Sequence, residues 1–507
     1  MCSRSRRWRR RQSPVISPAL LLAVVVLFIS PASALRGAIQ QQQDSLVTVT
    51  DDASGVTTDS GGSGTGATLI SYTKCGLDGP GESGSDGLGP SGHNSDWTIV
   101  SQDNDGQYRN LPEALEAGHT QIYIKDGTYE ISSSVIVGKH NRHLKIRGES
   151  RENTILKFTG DYSFLVIFDT EDISISQLTL DAKHANEQSE RMWEVIGVVS
   201  SSDVSIVDAI VFTSPKMYGI FFAGPSNRYA DGQETIDAYN AGDLDRGNMV
   251  ENTIIYSDYE GDALTFTMQR DGRVNNNKVT KGGISLFMNI DTTCNQNTVL
   301  ESETYGIFVT VPARNVYIQD NKIIRSRNSG IKLTRQIDHK SEETGEILTP
   351  KTYRAGGIKL TGNQIFDTHF LGIEIDQTHQ AIVTHNSISR TDYSGIFIQD
   401  SDHISIQNNR IEDFGVGDDR EELMKWNEDH NAGIYGDANI NGANISNNII
   451  IDFLSHGTRY GIKIANPNAF VENVGCVVSQ NIISGDYSHE EISTPPTTVQ
   501  EDNSIIS

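Results

Sequence analysis

The sequence predicts an all-β solenoid in which short parallel strands stack coil upon coil. Two observations lead to this prediction: a glycine-isoleucine unit recurs through the middle of the chain, and a second unit containing asparagine follows its copies. The 507 residues are 36% hydrophobic and 7% aromatic. That content is lean for a compact globule, but it is sufficient for a core built in thin layers.

The glycine unit returns at a nearly constant interval. Gly306 and Gly330 are 24 residues apart, and Gly372 and Gly395 are 23 apart. Apolar and polar residues alternate around each glycine, and this period of two is typical of a strand with one buried face. Leucine-rich repeats and propellers have other patterns and periods, so neither fits. The copies are Gly219-Ile220, Gly283-Ile284, Gly306-Ile307, Gly330-Ile331, Gly372-Ile373, Gly395-Ile396, Gly433-Ile434 and Gly461-Ile462.

The second unit places an asparagine at one fixed phase of each coil. Examples are Asn321, Asn409, Asn448 and Asn481, each preceded by alternating apolar and polar residues. Asparagine suits a tight bend because it tolerates a left-handed backbone and bonds its neighbours. Stacked coils would align these side chains, so we predict an inward hydrogen-bonded ladder with a structural role.

These repeats resemble the right-handed parallel β-helix superfamily of pectate-lyase-like proteins, over roughly residues 96–487. The resemblance implies a right-handed, single-stranded parallel β-helix of about a dozen coils. It also implies a short capping helix at 111–117, followed by first coils at 122–129 and 144–149. A cap has a physical purpose, because an open end exposes unpaired strand edges and apolar core.

The remaining segments flank this domain. Residues 1–34 combine six arginines, a short apolar run and an Ala-Ser-Ala site, which predicts a signal peptide; an uncleaved signal anchor is the alternative. Residues 35–95 are rich in Gly, Ser and Asp and predict a disordered linker, and residues 488–507 predict a flexible tail. We therefore expect a secreted, extracellular protein.

The charge balance excludes several partners. The formal net charge is −25, and it becomes −31 once the six arginines of the signal segment are removed. Nucleic-acid binding needs a basic footprint, and an anionic membrane surface would repel this chain. We expect a monomer that binds neither nucleic acid nor membrane after signal cleavage. Four cysteines are too few for a disulfide scaffold.

Two long insertions predict a groove across the rod. One spans 224–248 and the other 335–355, and both follow a glycine-isoleucine strand. Because insertions of equal phase rise from the same edge of a solenoid, three coils between them should form the floor of a groove. Such a shape suits an extended polymer, which favours an acidic extracellular polysaccharide as the partner.

Cationic and aromatic side chains concentrate between these insertions. Arg and Lys recognise carboxylates, and abstracting the proton beside a uronate carboxylate needs that carboxylate neutralised and a base nearby. The predicted catalytic residues are Lys332, Arg335 and Arg314. The predicted substrate-binding residues are Arg270, Phe287, Phe308, Tyr239, Tyr353 and Arg354. The alternative interpretation is that these are solvated surface charges and plain packing.

Three functions stay open, and with them whether the protein is an enzyme. The favoured one is a lyase or C5-epimerase acting on a uronate-containing polysaccharide. The second is a non-catalytic surface, wall or adhesive protein. The third is a glycoside hydrolase, for which Glu374 and Asp376 share one outward face and Asp400 and Asp437 sit in later coils.

Known signatures do not decide among these functions. The Tyr-Gly-Ile units at Tyr218 and Tyr305 lack the Asp and His of the mannuronan C5-epimerase signature, and the polygalacturonase motifs are incomplete. We predict no metal site and no certain cofactor, although acidic walls could hold Ca²⁺. Asn444-Ile445-Ser446 is a glycosylation acceptor pattern inside a predicted strand.

Overall fold

The computed structural model describes residues 96–103, 105–186, 189, 191–225, 238–335, 356–416, 431–453, 458–465 and 473–506. Within these ranges the chain forms three long parallel sheets, here called A, B and C, of 15, 14 and 13 strands, and a small sheet that pairs Asp245–Arg246 with Gln269–Arg270. The chain runs from sheet C to sheet A to sheet B and back to sheet C in each coil. The all-β prediction is therefore confirmed. The signal segment and linker predicted for residues 1–95 lie outside the described residues.

The strands are short and pair in register with those of the coils before and after. Sheet A contains Thr98–Val100, Gln121–Ile124, Lys145–Gly148, Glu171–Ser176, Ser202–Val207, Met249–Glu251, Arg273–Asn275, Thr293–Asn295, Tyr317–Gln319, Ile358–Thr361, Ala381–Thr384, Ser405–Gln407, Asn444–Ser446, Val477–Ser479 and Val499–Glu501. Sheet B contains Gly127–Ile131, Thr154–Phe158, Thr179–Asp181, Ile210–Phe212, Ile254–Tyr256, Lys278–Thr280, Thr298–Leu300, Lys322–Ile324, Gln364–Thr368, Ser387–Thr391, Arg410–Phe414, Ile449–Asp452, Ile482–Gly485 and Ser504–Ile506. Sheet C contains Val135–Val137, Leu165–Phe168, Trp193–Val199, Met217–Gly224, Asp262–Thr267, Gly283–Phe287, Ile307–Val311, Ile331–Arg335, Ile373–Asp376, Ile396–Gln399, Ala432–Gly436, Tyr460–Ile464 and Ile492–Ser493.

A short helix, Leu111–Glu116, lies at the N-terminal end, as the resemblance implies. Asn110 caps it by accepting a hydrogen bond from the Glu113 N–H, and Pro112 sits in its first turn, where no N–H is needed. Leu111, with two neighbours on the same face, is buried in the main core. The helix thus covers apolar surface at the start of the rod. A 3₁₀ turn, Lys139–Asn141, follows it, and residues 238–241 form a further helical turn.

The predicted asparagine ladder is present at the turn between sheets A and B. In each rung the backbone N–H and the side-chain amide both donate to the Oδ1 of the next asparagine, at 2.9–3.1 Å. The amide also donates to a strand carbonyl of the preceding coil. The ladder runs through Asn277, Asn297, Asn321, Asn363, Asn386, Asn409, Asn448, Asn481 and Asn503.

The backbone detail differs from the expectation. The left-handed residue is the one before each rung, such as Asp320 at φ +53° and Asn408 at φ +55°, whereas the ladder asparagines are not among the residues with positive φ. The ladder asparagine is selected for its side-chain amide, which both donates and accepts, and the preceding residue makes the bend.

Close approach of neighbouring coils explains the glycine-isoleucine unit. A Cβ added at Gly372 would lie 2.4 Å from the Gly395 carbonyl oxygen and 2.4 Å from the Ile388 side chain. Only glycine fits there. The isoleucine that follows, Ile373 in this coil, is fully buried in the continuous core. Each unit therefore sets one coil spacing and contributes one core side chain.

The solenoid is longer than the sequence predicts. Thirteen to fifteen strands per sheet exceed the expected dozen coils. Ile492–Ser493, Val499–Glu501 and Ser504–Ile506 continue the three sheets in register, so paired strands extend past the boundary predicted at residue 487. The sequence does not indicate this coil because its sheet C strand, Ile492–Ser493, lacks the glycine-isoleucine unit.

Two further facts concern the described residues. Cys294 and Cys476 are buried and free. No helix in these ranges is long and apolar enough to cross a membrane.

Buried carboxyl groups predict a stability that falls as the pH rises. Glu194, in strand Trp193–Val199, is buried and accepts a hydrogen bond from the Ser163 hydroxyl at 2.5 Å. Burial raises its pKa to about 7. The folded state therefore holds a proton that the unfolded chain has already lost, so stability decreases between about pH 4.5 and pH 7. This single group contributes on the order of 3 kcal/mol.

The check is a pair of thermal melts at about pH 5 and pH 7.5. We expect wild type to melt lower at the higher pH. Glu194→Gln keeps an acceptor for Ser163 but cannot ionise, so its melting temperature should fall less. An equal fall in the two proteins would contradict this assignment.

Candidate functional site

The floor of the groove predicted between the two insertions lies on the outward face of sheet C. Thr265 pairs with Ser285, Ser285 with Phe308, and Phe308 with Lys332 in successive strands. Residues on either side of these positions, such as Leu264 and Ile307, are in the core. These four side chains therefore form one outward column. A second column consists of Thr267, Phe287, Thr310, Thr334 and Asp376.

Both insertions depart from sheet C and return to sheet A, as predicted. The first follows strand Met217–Gly224 and ends at Met249–Glu251; the second follows Ile331–Arg335 and ends at Ile358–Thr361. Their middle parts, 226–237 and 336–355, lie outside the described residues. The predicted binding residues Tyr353 and Arg354 fall there. Of Arg335 the structure describes the backbone pairing with Val311.

The first coils of the floor are too buried to line an open groove. Thr265 and Ser285 are at most 1% exposed. The coils before them carry an apolar cluster on the same face, which includes Tyr218 and Phe221. The partly exposed positions include Thr267 in the first coil and then Phe287, Phe308, Lys332 and Asp376. A substrate would therefore contact the second half of the predicted floor.

Lys332 is held in a buried ion pair. Its Nζ lies 2.7 Å from Glu374 Oε1 in the next coil, and the Ser329 hydroxyl donates to Glu374 Oε2 at 2.6 Å. The ammonium also lies 3.5 Å from the Tyr305 hydroxyl. Burial alone would lower the pKa of Lys332, but Glu374 and Tyr305 together outweigh it and raise the pKa above its ordinary value. Lys332 is therefore a fixed cation and is poorly suited to serve as the predicted base.

Three aromatic rings form a half-buried platform beside this ion pair. Tyr305 and Phe308 stack with ring centroids 4.9 Å apart and an interplanar angle of 17°. Phe287 meets Phe308 edge to face at 5.7 Å. Both predicted phenylalanines are thus brought together, and Tyr305 joins them. A flat, partly exposed aromatic surface is suited to the apolar face of a sugar ring.

The predicted arginines form a separate group at the turn beyond the strands. Arg270 and Arg314 each bridge to Ile290 in the coil between them, and the Arg314 guanidinium lies 5.1 Å from the centre of the Tyr239 ring. Tyr239 is buried with Met268 and its neighbours, and burial raises its pKa to about 12. The predicted residues therefore divide into two sets, Lys332 with the phenylalanines and Tyr239 with the arginines.

Three aspartates, here called the acidic row, lie at the ends of successive strands of sheet C beyond the aromatic platform. Asp376 ends strand Ile373–Asp376, Asp400 follows Ile396–Gln399, and Asp437 follows Ala432–Gly436. Thr334 donates to Asp376 Oδ2 at 3.0 Å. The other oxygen, Oδ1, is buried without a hydrogen-bond partner among the described residues.

The environment of this acidic row shifts its protonation. The pKa of Asp376 is raised to about 6, chiefly by burial and to a smaller extent by the Glu374 and Asp400 carboxylates, while Thr334 and Lys332 act in the opposite direction. Burial, then the Asp400 carboxylate, also raises the pKa of Asp437. A carboxyl group that stays protonated near neutral pH can act as a general acid, while a neighbouring carboxylate acts as base or nucleophile. The sequence indicated Asp376 only because it shares one outward face with Glu374.

Two family models match parts of the sequence. The model described as "Right handed beta helix region" matches residues 195–340, and the model described as "Periplasmic copper-binding protein (NosD)" matches residues 340–422. The comparison with curated proteins found no match.

Several solved structures resemble the fold. The mannuronan C-5 epimerase AlgE6 A-module of Azotobacter vinelandii is 13% identical, with a TM-score of 0.50 over 78% of this chain and 93% of that one. The GH87 α-1,3-glucanase catalytic unit of Streptomyces thermodiastaticus is 13% identical, with a TM-score of 0.47 over 75% of this chain and 66% of that one. The periplasmic alginate epimerase AlgG is 13% identical, with a TM-score of 0.35 over 76% and 77%.

At these identities the solved structures establish the fold and leave the chemistry open. The match to the β-helix family model covers the coils that carry the first four glycine-isoleucine units. The three continuous parallel sheets agree with it. The chain therefore has the right-handed parallel β-helix fold, as the resemblance of its repeats predicts.

Proposed function

We propose that the protein acts on a polysaccharide outside the cytoplasm and hydrolyses its glycosidic bonds on the outward face of sheet C. The observation behind this proposal is Asp376: a half-buried carboxyl whose pKa is raised to about 6, with Asp400 close enough to influence it. Carboxyl pairs of unequal pKa are the machinery of glycoside hydrolysis. The predicted signal segment supports the location, and the epimerase of similar fold supports a glycan substrate at the level of fold alone.

The aromatic platform would position the sugar. Phe308 and Tyr305 offer stacked rings two to four coils before the acidic row, and Lys332 lies against Tyr305 with its Nζ 5.1 Å from the ring centre. A chain lying along the solenoid axis would cross these rings and then the aspartates. Asp376 would donate its proton to the departing oxygen, and Asp400 or Asp437 would serve as the second carboxylate.

The lyase or epimerase hypothesis is the second candidate. The pairing of Arg314 with Tyr239 favours it, because an arginine beside a tyrosine can neutralise a uronate carboxylate next to a base. Against it, the pKa of Tyr239 is raised to about 12, and Lys332 is held protonated by Glu374. Neither group is poised to remove a proton at neutral pH.

A glycan panel separates these functions. The purified protein is incubated with alginate, pectin, α-1,3-glucan and β-linked glucans, with and without Ca²⁺. New reducing ends without ultraviolet absorbance of a conjugated alkene support hydrolysis. Alkene absorbance would identify a lyase, and altered uronate epimer ratios by NMR would identify an epimerase; either result contradicts our proposal. Binding to a glycan without any product would support the alternative that the protein is not catalytic, and would contradict our proposal.

We also expect Phe308→Ala to weaken glycan binding about fivefold, because one stacked ring contributes on the order of 1 kcal/mol. The measurement is isothermal titration with an oligosaccharide of the glycan identified above. Phe366→Ala is the matched control, since Phe366 is 42% exposed but lies on sheet B. Equal losses in the two variants would place the binding surface elsewhere.

A further inference from the structure

Two successive turns between sheets C and A bring a second group of functional side chains together. His379 lies between strands Ile373–Asp376 and Ala381–Thr384. Asp402 and His403 lie in the corresponding turn of the next coil, and His379 pairs with Asp402 through a parallel bridge. The coil stacking therefore holds the three side chains next to one another, although His379 and Asp402 are 23 residues apart in sequence.

The donor atoms of these residues converge. One ligand atom from each of His379, Asp402 and His403 lies within 4.8 Å of the other two. His379 Nδ1 contacts Asp402 Oδ1, and His403 Nδ1 lies 3.5 Å from the same oxygen. The two imidazole rings are 5.3 Å apart at 75°, so they approach the carboxylate from different directions. The side chains of His379 and Asp402 are 37% and 22% exposed, which leaves the cluster open to solvent.

We propose that His379, Asp402 and His403 form a binding site for a divalent transition metal ion, Zn²⁺ or Cu²⁺. Two imidazole nitrogens and one carboxylate oxygen are donors that these ions prefer, and water would complete the coordination. Ca²⁺ and Mg²⁺ prefer all-oxygen sites and fit this set poorly. None of these three ligands is a predicted site residue or one of the proposed catalytic aspartates, although their turns adjoin Asp376 and Asp400.

A plain histidine–aspartate contact is present elsewhere and gives a matched comparison. His369 Nδ1 lies 3.5 Å from Asp392 Oδ2, again between residues 23 apart in sequence in successive coils. No second imidazole is grouped with that pair in the described part of the chain. The second imidazole is what distinguishes the proposed site from an ordinary contact between coils.

Metal binding at this position would join two turns of the solenoid. The turn containing His379 begins directly after Asp376, and the turn containing Asp402 begins with Asp400. A bound ion would hold these turns together, and a ligand that binds only the folded state raises its stability. The ion would therefore stabilise the coils that carry the acidic row.

The test uses the untagged full chain, stripped with a chelator and desalted. Zn²⁺ affinity is measured by competition with a chromophoric chelator, and Cu²⁺ coordination by electron paramagnetic resonance. We expect one saturable site per chain, a melting temperature raised by Zn²⁺, and nitrogen hyperfine splitting from two imidazoles. His403→Asn should lower the affinity at least about tenfold, leave one coupled nitrogen and remove the thermal shift.

The choice of variants distinguishes a specific metal site from nonspecific metal binding by surface histidines. His403 has a side chain 66% exposed, and asparagine tolerates its φ of +53°, so this variant should fold; circular dichroism verifies that it does. Asp402→Asn should also lose affinity, whereas His369→Asn should bind as wild type. The proposal is overturned by unchanged affinity in His403→Asn, by an equal loss in His369→Asn, or by the lack of any saturable binding.

Discussion

Replacing Asp376 with asparagine is expected to lower the rate of glycan hydrolysis by about 10²- to 10⁴-fold, the usual contribution of a general acid. The pKa of about 6 predicts that wild-type activity declines as the pH rises through this value, because the acid must be protonated. The measurement is a pH profile of kcat and kcat/KM on the substrate found with the glycan panel.

The same substitution should stabilise the fold near neutral pH. A carboxyl with a raised pKa releases its proton later in the folded state than in the unfolded chain, so its contribution falls as pH rises from about 4 to 6. Asparagine cannot ionise and can still accept the hydrogen bond from Thr334. A higher melting temperature together with lost activity would distinguish a catalytic acid from a residue needed for folding.

Asp320→Asn is the control for this pair of results. Asp320 is exposed at the turn between sheets A and B, and asparagine tolerates its φ of +53°. Activity and pH profile should be unchanged. A comparable loss of activity in Asp320→Asn, or full activity in Asp376→Asn, would remove Asp376 from the mechanism.

Removing one rung of the asparagine ladder should be the most destabilising single change in the core. Asn363 donates to Asn386 Oδ1 and to the Ile318 carbonyl, and its own Oδ1 accepts from the backbone and side chain of Asn321. Asn363→Ala leaves these buried partners unsatisfied and opens a cavity. At about 1–3 kcal/mol for each unsatisfied group, we expect a loss of roughly 3–5 kcal/mol.

The measurement is the denaturant midpoint and melting temperature of Asn363→Ala against wild type. Asn444→Ala makes the same chemical change at a partly exposed position in sheet A and should cost less than about 0.5 kcal/mol. Similar effects of the two substitutions would show that the ladder contributes little to stability.

The sequence predicts the scaffold well because the scaffold is periodic. Every coil repeats the same contacts. The interval between Gly372 and Gly395 therefore indicates the coil length, and the fixed phase of Asn321 and its counterparts predicts the asparagine ladder. The last coil is missed because its sheet C strand, Ile492–Ser493, lacks the glycine-isoleucine unit that marks the coils directly before it.

The candidate site is predicted only in part, because its chemistry depends on contacts between coils. Lys332 and Glu374 are 42 residues apart with an insertion of irregular length between them, so their pairing cannot be read from local spacing. The sequence groups cations by position, whereas the structure separates Lys332 from Arg314. The raised pKa of Asp376 comes from burial and from Asp400 in the next coil, and neither is visible in a linear pattern.

The most direct test of the central claim is a crystal structure of Asp376→Asn bound to an oligosaccharide of the identified substrate. The proposed function predicts a sugar ring stacked on Phe308 or Tyr305, with the glycosidic oxygen within hydrogen-bond distance of residue 376. An oligosaccharide bound instead at Arg314 and Tyr239, or on sheet A or B, would contradict it.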